Sequence, residues 1–143
     1  MSSAVEVARL YDDAFNTKDA ERRIASLTVN AELVLPGAMT VSGPEQITAL
    51  AQSFWEALPD AKITSDHQVA SGDEVVTEGR LIGTHTGTFR SPQREIPASG
   101  NRVELPYVSL KWIRDGKLAV EHLYFDQLTL LQQIGALPAA QAD

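Results

Sequence analysis

Few residues of this sequence have types and spacings that could do chemistry. His122, Tyr124 and Asp126 alternate along one strand-like stretch, so all three point to one face while Glu121, Leu123 and Phe125 point to the other. An imidazole such as His122 could position or protonate a carbonyl, because its charge changes near neutral pH. A carboxylate ordinarily titrates near ~3.9 and is a poor base, but burial in an apolar cavity can lift that by up to roughly 3–5 units. Asp126 also stands just before a helical stretch, where it would serve as an N-cap by accepting the N–H of Leu128 or Thr129; such bonds favour its ionised form. His85 lies between Gly83 and Gly87 in a segment expected to bend inward, and it is the second candidate histidine. His67 has no such context and reads as surface.

Other chemistries lack their residues. With no Cys, thiol catalysis, Fe–S clusters and thiolate zinc sites are excluded, and the 3 His show neither HExxH nor HxH spacing. Gly79, Gly83 and Gly87 are not followed by the Lys-Ser/Thr of a phosphate loop, and no Gly-x-Ser-x-Gly elbow is present. On the enzymatic side this leaves acid/base chemistry with no cofactor and no metal. Tyr11, Trp55, Tyr107 and Tyr124 lie on helix faces or strands that would surround a cavity, and they are the candidate walls for a flat apolar ligand.

These residues must be held by elements that the pattern also predicts. Ser3 and Glu6 form a capping box, and Ala4, Val7, Ala8, Tyr11, Ala14 and Phe15 recur at helical spacing. A second short helix is expected over 18–27, capped by Thr17, followed by a strand over 31–35 that ends at Pro36-Gly37. Ser42-Gly43-Pro44-Glu45 starts a third helix, which runs to Leu58-Pro59. Strands follow at 61–70, 74–89, 102–113 and 118–125, with Asp115-Gly116 as a hairpin turn and 90–101 as a loop. A last helix runs from an N-cap at Asp126 to Gly135. Helices first and an antiparallel run of strands after them make an α+β fold, in which a sheet bent at its glycines wraps the helices around a pocket.

The stretches Gly83-Thr84-His85-Thr86-Gly87-Thr88-Phe89, Ser99-Gly100-Asn101-Arg102-Val103-Glu104, Asp115-Gly116-Lys117-Leu118-Ala119-Val120-Glu121-His122 and Tyr124-Phe125-Asp126-Gln127, with Leu130-Leu131-Gln132-Gln133-Ile134-Gly135 after them, resemble the SnoaL-like polyketide cyclases of the NTF2-like superfamily. The resemblance implies a cone-shaped sheet with a deep apolar pocket, often dimerised through its outer face, and no cofactor. It also implies Asp126 as the general acid/base, with His85 or His122 assisting. The reaction so implied is an aldol-type cyclisation or related isomerisation of an apolar carbonyl-bearing or polycyclic small molecule. The alternatives are a non-catalytic small-molecule-binding dimer, or an epoxide-opening or hydroxylase-like relative.

The chain departs from its relatives in three places. Some cyclases pair their Asp with a His on the neighbouring strand, but Tyr107-Val108-Ser109-Leu110-Lys111-Trp112 has none. Ketosteroid isomerases carry a base Asp at the end of the first strand, where this chain has Leu33-Val34-Leu35-Pro36. Limonene-epoxide-hydrolase-like members set an Arg between two Asp, and no second Asp stands two residues from Arg80.

The balance of 12 Lys plus Arg against 19 Asp plus Glu in 143 residues gives a net charge of −7, which argues against a nucleic acid or an anionic membrane surface as partner. The first residues lack a secretory pattern and no apolar run approaches the ~18 residues of a membrane span, so the cytoplasm is the expected location. One domain is expected over 1–137, with 138–143 as a loose tail, and a homodimer as the assembly.

Overall fold

The computed structural model describes residues 3–91 and 94–137; the tail expected at 138–143 lies outside them. Helix α1 (Ala4–Asn16) starts where predicted, with Ser3 Oγ accepting the Glu6 N–H at 3.2 Å. It buries Val7, Ala8, Tyr11, Ala14 and Phe15. Helix α2 (Ala20–Ala25) starts later than expected, and its cap is Asp19 rather than Thr17. Lys18 adopts a left-handed φ of 57°, which no helix can include, while the Thr17 hydroxyl donates back to the Asp13 carbonyl at the end of α1.

Strand β1 (Leu27–Leu35) begins four residues before the predicted start, and a short β2 (Met39–Ser42) folds back on it before α3 (Pro44–Ala57). The stretch expected as one strand over 61–70 divides into β3 (Lys62–Ile63) and β4 (His67–Ser71), both antiparallel to β5 (Glu74–Thr84). Strand β5 stops at Thr84, short of the expected Phe89, and the chain beyond it carries a two-residue ladder, β6 (Phe89–Arg90) with β7 (Glu95–Ile96). Strands β8 (Arg102–Arg114) and β9 (Lys117–Phe125) form the predicted hairpin, with Asp115 and Gly116 at φ 54° and 73° as a type I′ turn requires. Helix α4 (Gln127–Gln133) closes the chain.

The main sheet runs β2-β1-β9-β8-β5-β3, with β4 on the far half of β5. One pairing corrects the expected antiparallel run: β1 lies parallel to β9, so the first strand seats beside the last and closes the helices against the sheet. Curvature comes where backbones touch. A Cβ on Gly79 would collide with the Thr64 carbonyl, and one on Gly87 with the Glu56 carbonyl, so these glycines let β3 and the end of α3 press onto the following chain.

Burial along β8 alternates without a break: Val103, Leu105, Tyr107, Ser109, Lys111 and Ile113 face inward, and the residues between them face out. Beneath that inner face lie two apolar clusters, one built on Phe15, Trp55, Leu58 and Leu130 and the other on Tyr11, Leu33, Ile47 and Leu118. No helix among the described residues is long and apolar enough to cross a membrane.

Candidate active site

Lys111 is the unexpected residue of that inner face, an ammonium only 1% exposed. Directly opposite it in the β8–β9 register stands Glu121, and Asp12 approaches from α1. Lys111 Nζ lies 3.2 Å from Glu121 Oε2 and 3.4 Å from Asp12 Oδ1. The ammonium also donates to Ser109 Oγ at 2.8 Å, and that hydroxyl donates to Glu121 Oε2 at 2.6 Å. A carboxylate–ammonium–carboxylate row is thus held by two strands and one helix.

The two carboxylates differ in their support. Burial lifts the pKa of Asp12 above the ordinary range, and the nearby Glu121 charge adds to that; the Lys111 ammonium opposes but does not cancel it. Burial also works against the charge of Glu121, but Lys111 and the Ser109 hydroxyl outweigh it and hold Glu121 below the ordinary range. Burial alone would discharge Lys111, yet with Asp12 and Glu121 beside it its pKa is raised and it remains an ammonium.

Next to this row, Arg23 lies 3.7 Å above the ring of Tyr11 and donates from Nη2 to the Tyr11 hydroxyl at 2.9 Å. Its Nη1 donates to the Tyr11 carbonyl at 3.3 Å. Burial raises the Tyr11 pKa far above that of a free phenol, so the group remains a donor. Tyr107 is likewise raised, but its proton is committed to the Thr64 carbonyl at 2.6 Å.

These groups open on a cavity of about 110 Å³ whose other walls are Phe15, Leu33, Ile47, Leu50, Ala51, Phe54, Ile63, Leu81, Leu105, Leu123 and Phe125. An apolar chamber carrying one up-shifted carboxyl, one fixed anion, one ammonium and one polarised phenol can take a proton from carbon and return it to oxygen.

Of the residues expected from sequence, Tyr11 and Tyr107 line this cavity and the other five do not. Asp126 is exposed at the head of α4, where its carboxylate accepts the Leu128 N–H at 3.0 Å, the Thr129 N–H at 3.3 Å and the Thr129 hydroxyl at 2.9 Å. Bonds from the Thr129 hydroxyl and N–H, with the Leu128 N–H, lower its pKa, the reverse of what a buried base needs. His122 sits on the outer face, its ring edge-on to Trp112 at 4.8 Å, and Tyr124 is 53% exposed. His85 is fully buried, but beside the 99–101 turn, with Nδ1 against Ser99 Oγ at 2.8 Å, and burial lowers its pKa. Trp55 packs on Phe15 in the core, ring centroids 5.7 Å apart.

The two faces of β9 alternate as expected from Glu121 onward, but it is Glu121, Leu123 and Phe125 that line the cavity, not His122, Tyr124 and Asp126. Asp12, Arg23, Ser109, Lys111 and Glu121 were missed by sequence reasoning. The sequence hides Lys111, because Leu110 and Trp112 beside it are apolar and local alternation would turn it outward; only the register it shares with Val103, Leu105 and Tyr107 places it inward.

The model of the SnoaL-like polyketide cyclase family matches residues 5–134 of the chain. Among solved structures, the chain is similar to a candidate SnoaL-like polyketide cyclase from Jannaschia sp., with 27% identity, a TM-score of 0.81, and 94% of this chain and 93% of that one covered. It is also similar in fold to IdmH, a candidate polyketide cyclase from Streptomyces antibioticus, at 23% identity and a TM-score of 0.78 over 94% and 99% of the two chains. AclR, a candidate hydroxylase from Streptomyces galilaeus, shares the fold at 20% identity and a TM-score of 0.80 over 96% and 84%. Against the curated proteins the chain has no match.

Proposed function

Because the chain belongs to the SnoaL-like polyketide cyclase family, we propose that it is a cofactor-independent acid/base enzyme acting on an apolar carbonyl-bearing small molecule, with Asp12 in place of Asp126 as the proton carrier. The observation that carries this reading is the Asp12–Lys111–Glu121 row inside an otherwise apolar cavity. Burying three charges costs several kcal/mol per ion before their mutual attraction offsets it, and apolar residues of similar volume would serve the fold at least as well. Neighbouring carboxyls whose environments push their pKa values apart mark an acid/base pair of roles.

The chemistry follows from the placement. Asp12 takes the proton from a carbon next to a carbonyl; the C–H electron pair moves into an enolate, whose oxygen receives the Tyr11 O–H polarised by Arg23. In an aldol closure the enolate carbon attacks a second carbonyl carbon, whose C=O π pair moves onto its oxygen, and Asp12 returns its proton to the alkoxide so formed. In an isomerisation the same proton goes back to a different carbon. Glu121 keeps its charge throughout and holds Lys111 as a fixed cation that favours the developing negative charge.

Acetophenone is a minimal probe, since its methyl protons exchange slowly in neutral deuterium oxide. Exchange followed by NMR is expected to be faster with the protein than in buffer. Asp12→Asn should lose about 10²–10⁴-fold of that acceleration, and Asp126→Asn should keep it within about twofold. No acceleration with acetophenone demonstrably bound would make the protein a binder. The row also suits epoxide opening, one carboxyl protonating the oxygen while the other takes a proton from water; hydrolysis of styrene oxide without ketone exchange would select that reading. The assembly we propose is a homodimer formed through the outer face of the sheet.

A further inference from the structure

The cavity that holds the charged row is small for a whole substrate. An apolar cavity of about 150 Å³ is enough for one benzene ring, and this one has about 110 Å³. A multi-ring or chain-bearing ligand must therefore extend beyond it. Asp12, Ile63 and Tyr107 line this cavity and also a second cleft of about 210 Å³, so the two spaces are neighbours that share these residues.

The second cleft is more polar than the first. Arg9, Asp13, Ser65 and Gln68 contribute to its wall. The Gln68 amide nitrogen is committed to Thr77 Oγ1 at 3.1 Å, which leaves its carbonyl oxygen to accept. Arg9 and Asp13 pair across one helical turn at 3.0 Å with both side chains about half exposed, so each retains capacity for a ligand. The cleft's floor is fixed: the Asn16 amide donates to the Ile63 carbonyl at 3.0 Å and accepts the Ile63 N–H at 2.8 Å, and the Tyr107 hydroxyl ties down Thr64. A cleft with donors and acceptors, sharing Asp12 with an apolar cavity beside it, is a place for the polar end of a ligand.

We infer that the substrate is amphipathic: its apolar end enters the inner cavity without being contained by it, its carbonyl stands at Asp12, and a hydroxyl- or amide-bearing arm occupies the outer cleft. The position of the carbonyl rests on the acid/base reading; the division of the ligand between two spaces does not.

Three ketones test it: acetophenone, heptanophenone with an apolar arm, and the hydroxyethylamide of benzoylpropionic acid with a polar one. Dissociation constants from calorimetry are expected to show the amide-armed ketone binding at least about tenfold tighter than heptanophenone, the worth of one or two hydrogen bonds. The double variant Ser65→Ala/Gln68→Leu should erase that preference and leave acetophenone binding unchanged. Equal affinities, a preference for heptanophenone, a preference that survives the double substitution, or no binding by any of the three would overturn the inference. Deuterium exchange on the same samples separates the two ideas. Polar-arm preference without Asp12-dependent exchange sinks the enzyme and keeps the subsite; exchange without the preference does the reverse.

Discussion

Asp12 and Glu121 share one ammonium yet depart from their ordinary values in opposite directions, so pH should act on them differently. Asp12 is raised. Its contribution to stability is therefore fully present below its unfolded pKa and is lost as pH rises through its folded pKa. Glu121 is lowered, so its contribution is present above its unfolded pKa and is lost as pH falls through its folded pKa. Asp12→Asn should accordingly melt no lower than wild type at neutral pH while losing exchange activity. The acid limb of the exchange-rate profile should lie above the ordinary Asp value of ~3.9, and Glu121→Gln should move it down by removing a repelling charge. A limb at or below that value would assign the proton to another group. Lys111→Met leaves two buried carboxylates without their cation, and thermal or denaturant unfolding should show a loss of about 3–5 kcal/mol.

At the scale of elements, the legible part of the chain was what local pattern controls. The capping box at Ser3, the Asp115-Gly116 hairpin and the N-cap at Asp126 all appear where their residue types require. Hidden from the sequence was a one-residue irregularity in the β8–β9 pairing. Arg114 pairs with Lys117 and Ile113 with Leu118, but Trp112 pairs with Val120 and Lys111 with Glu121, so Ala119 is extra. Counting by twos from the inward Leu118 would turn His122, Tyr124 and Asp126 into the cavity; after the bulge the parity reverses and Glu121, Leu123 and Phe125 line it. Nothing in Leu118-Ala119-Val120 announces such a bulge, and Asp12 comes to Lys111 only through tertiary packing of α1 on the sheet. The close approach at Gly79 gives this scale its own test. Gly79→Ala should push Thr64 away and break the Tyr107 bond that fixes the cleft floor, costing about 1–3 kcal/mol in denaturant unfolding. Unchanged stability would mean that β3 is not pressed onto β5 in solution.

At the scale of the whole molecule, the outer face of the sheet carries what a second copy could cover. His122, Leu110, Val76 and Val69 are cross-strand neighbours in turn, from β9 through β8 and β5 to β4, and form one row perpendicular to the strands. With strands ~4.8 Å apart that row spans roughly 15 Å. Val69 is 68% exposed at one end, and Tyr124, paired with Val108, adds another exposed ring beside the row. An acidic chain that leaves Trp112, His122 and Tyr124 on the outer sheet face has a surface suited to self-association, where a two-fold pairing would place row against row and bury on the order of 800 Å² per partner. Light scattering on a sizing column should return twice the 15.5 kDa chain mass. Val69→Glu/Tyr124→Glu replaces two side chains that the single chain leaves in solvent, so it should give a folded monomer with the cavity intact and exchange activity retained. A wild-type monomer, or a double variant that stays dimeric, would move the interface elsewhere. Loss of exchange in a folded monomer would mean that the pairing also holds β8 and β9 in the register that sets Lys111 against Glu121.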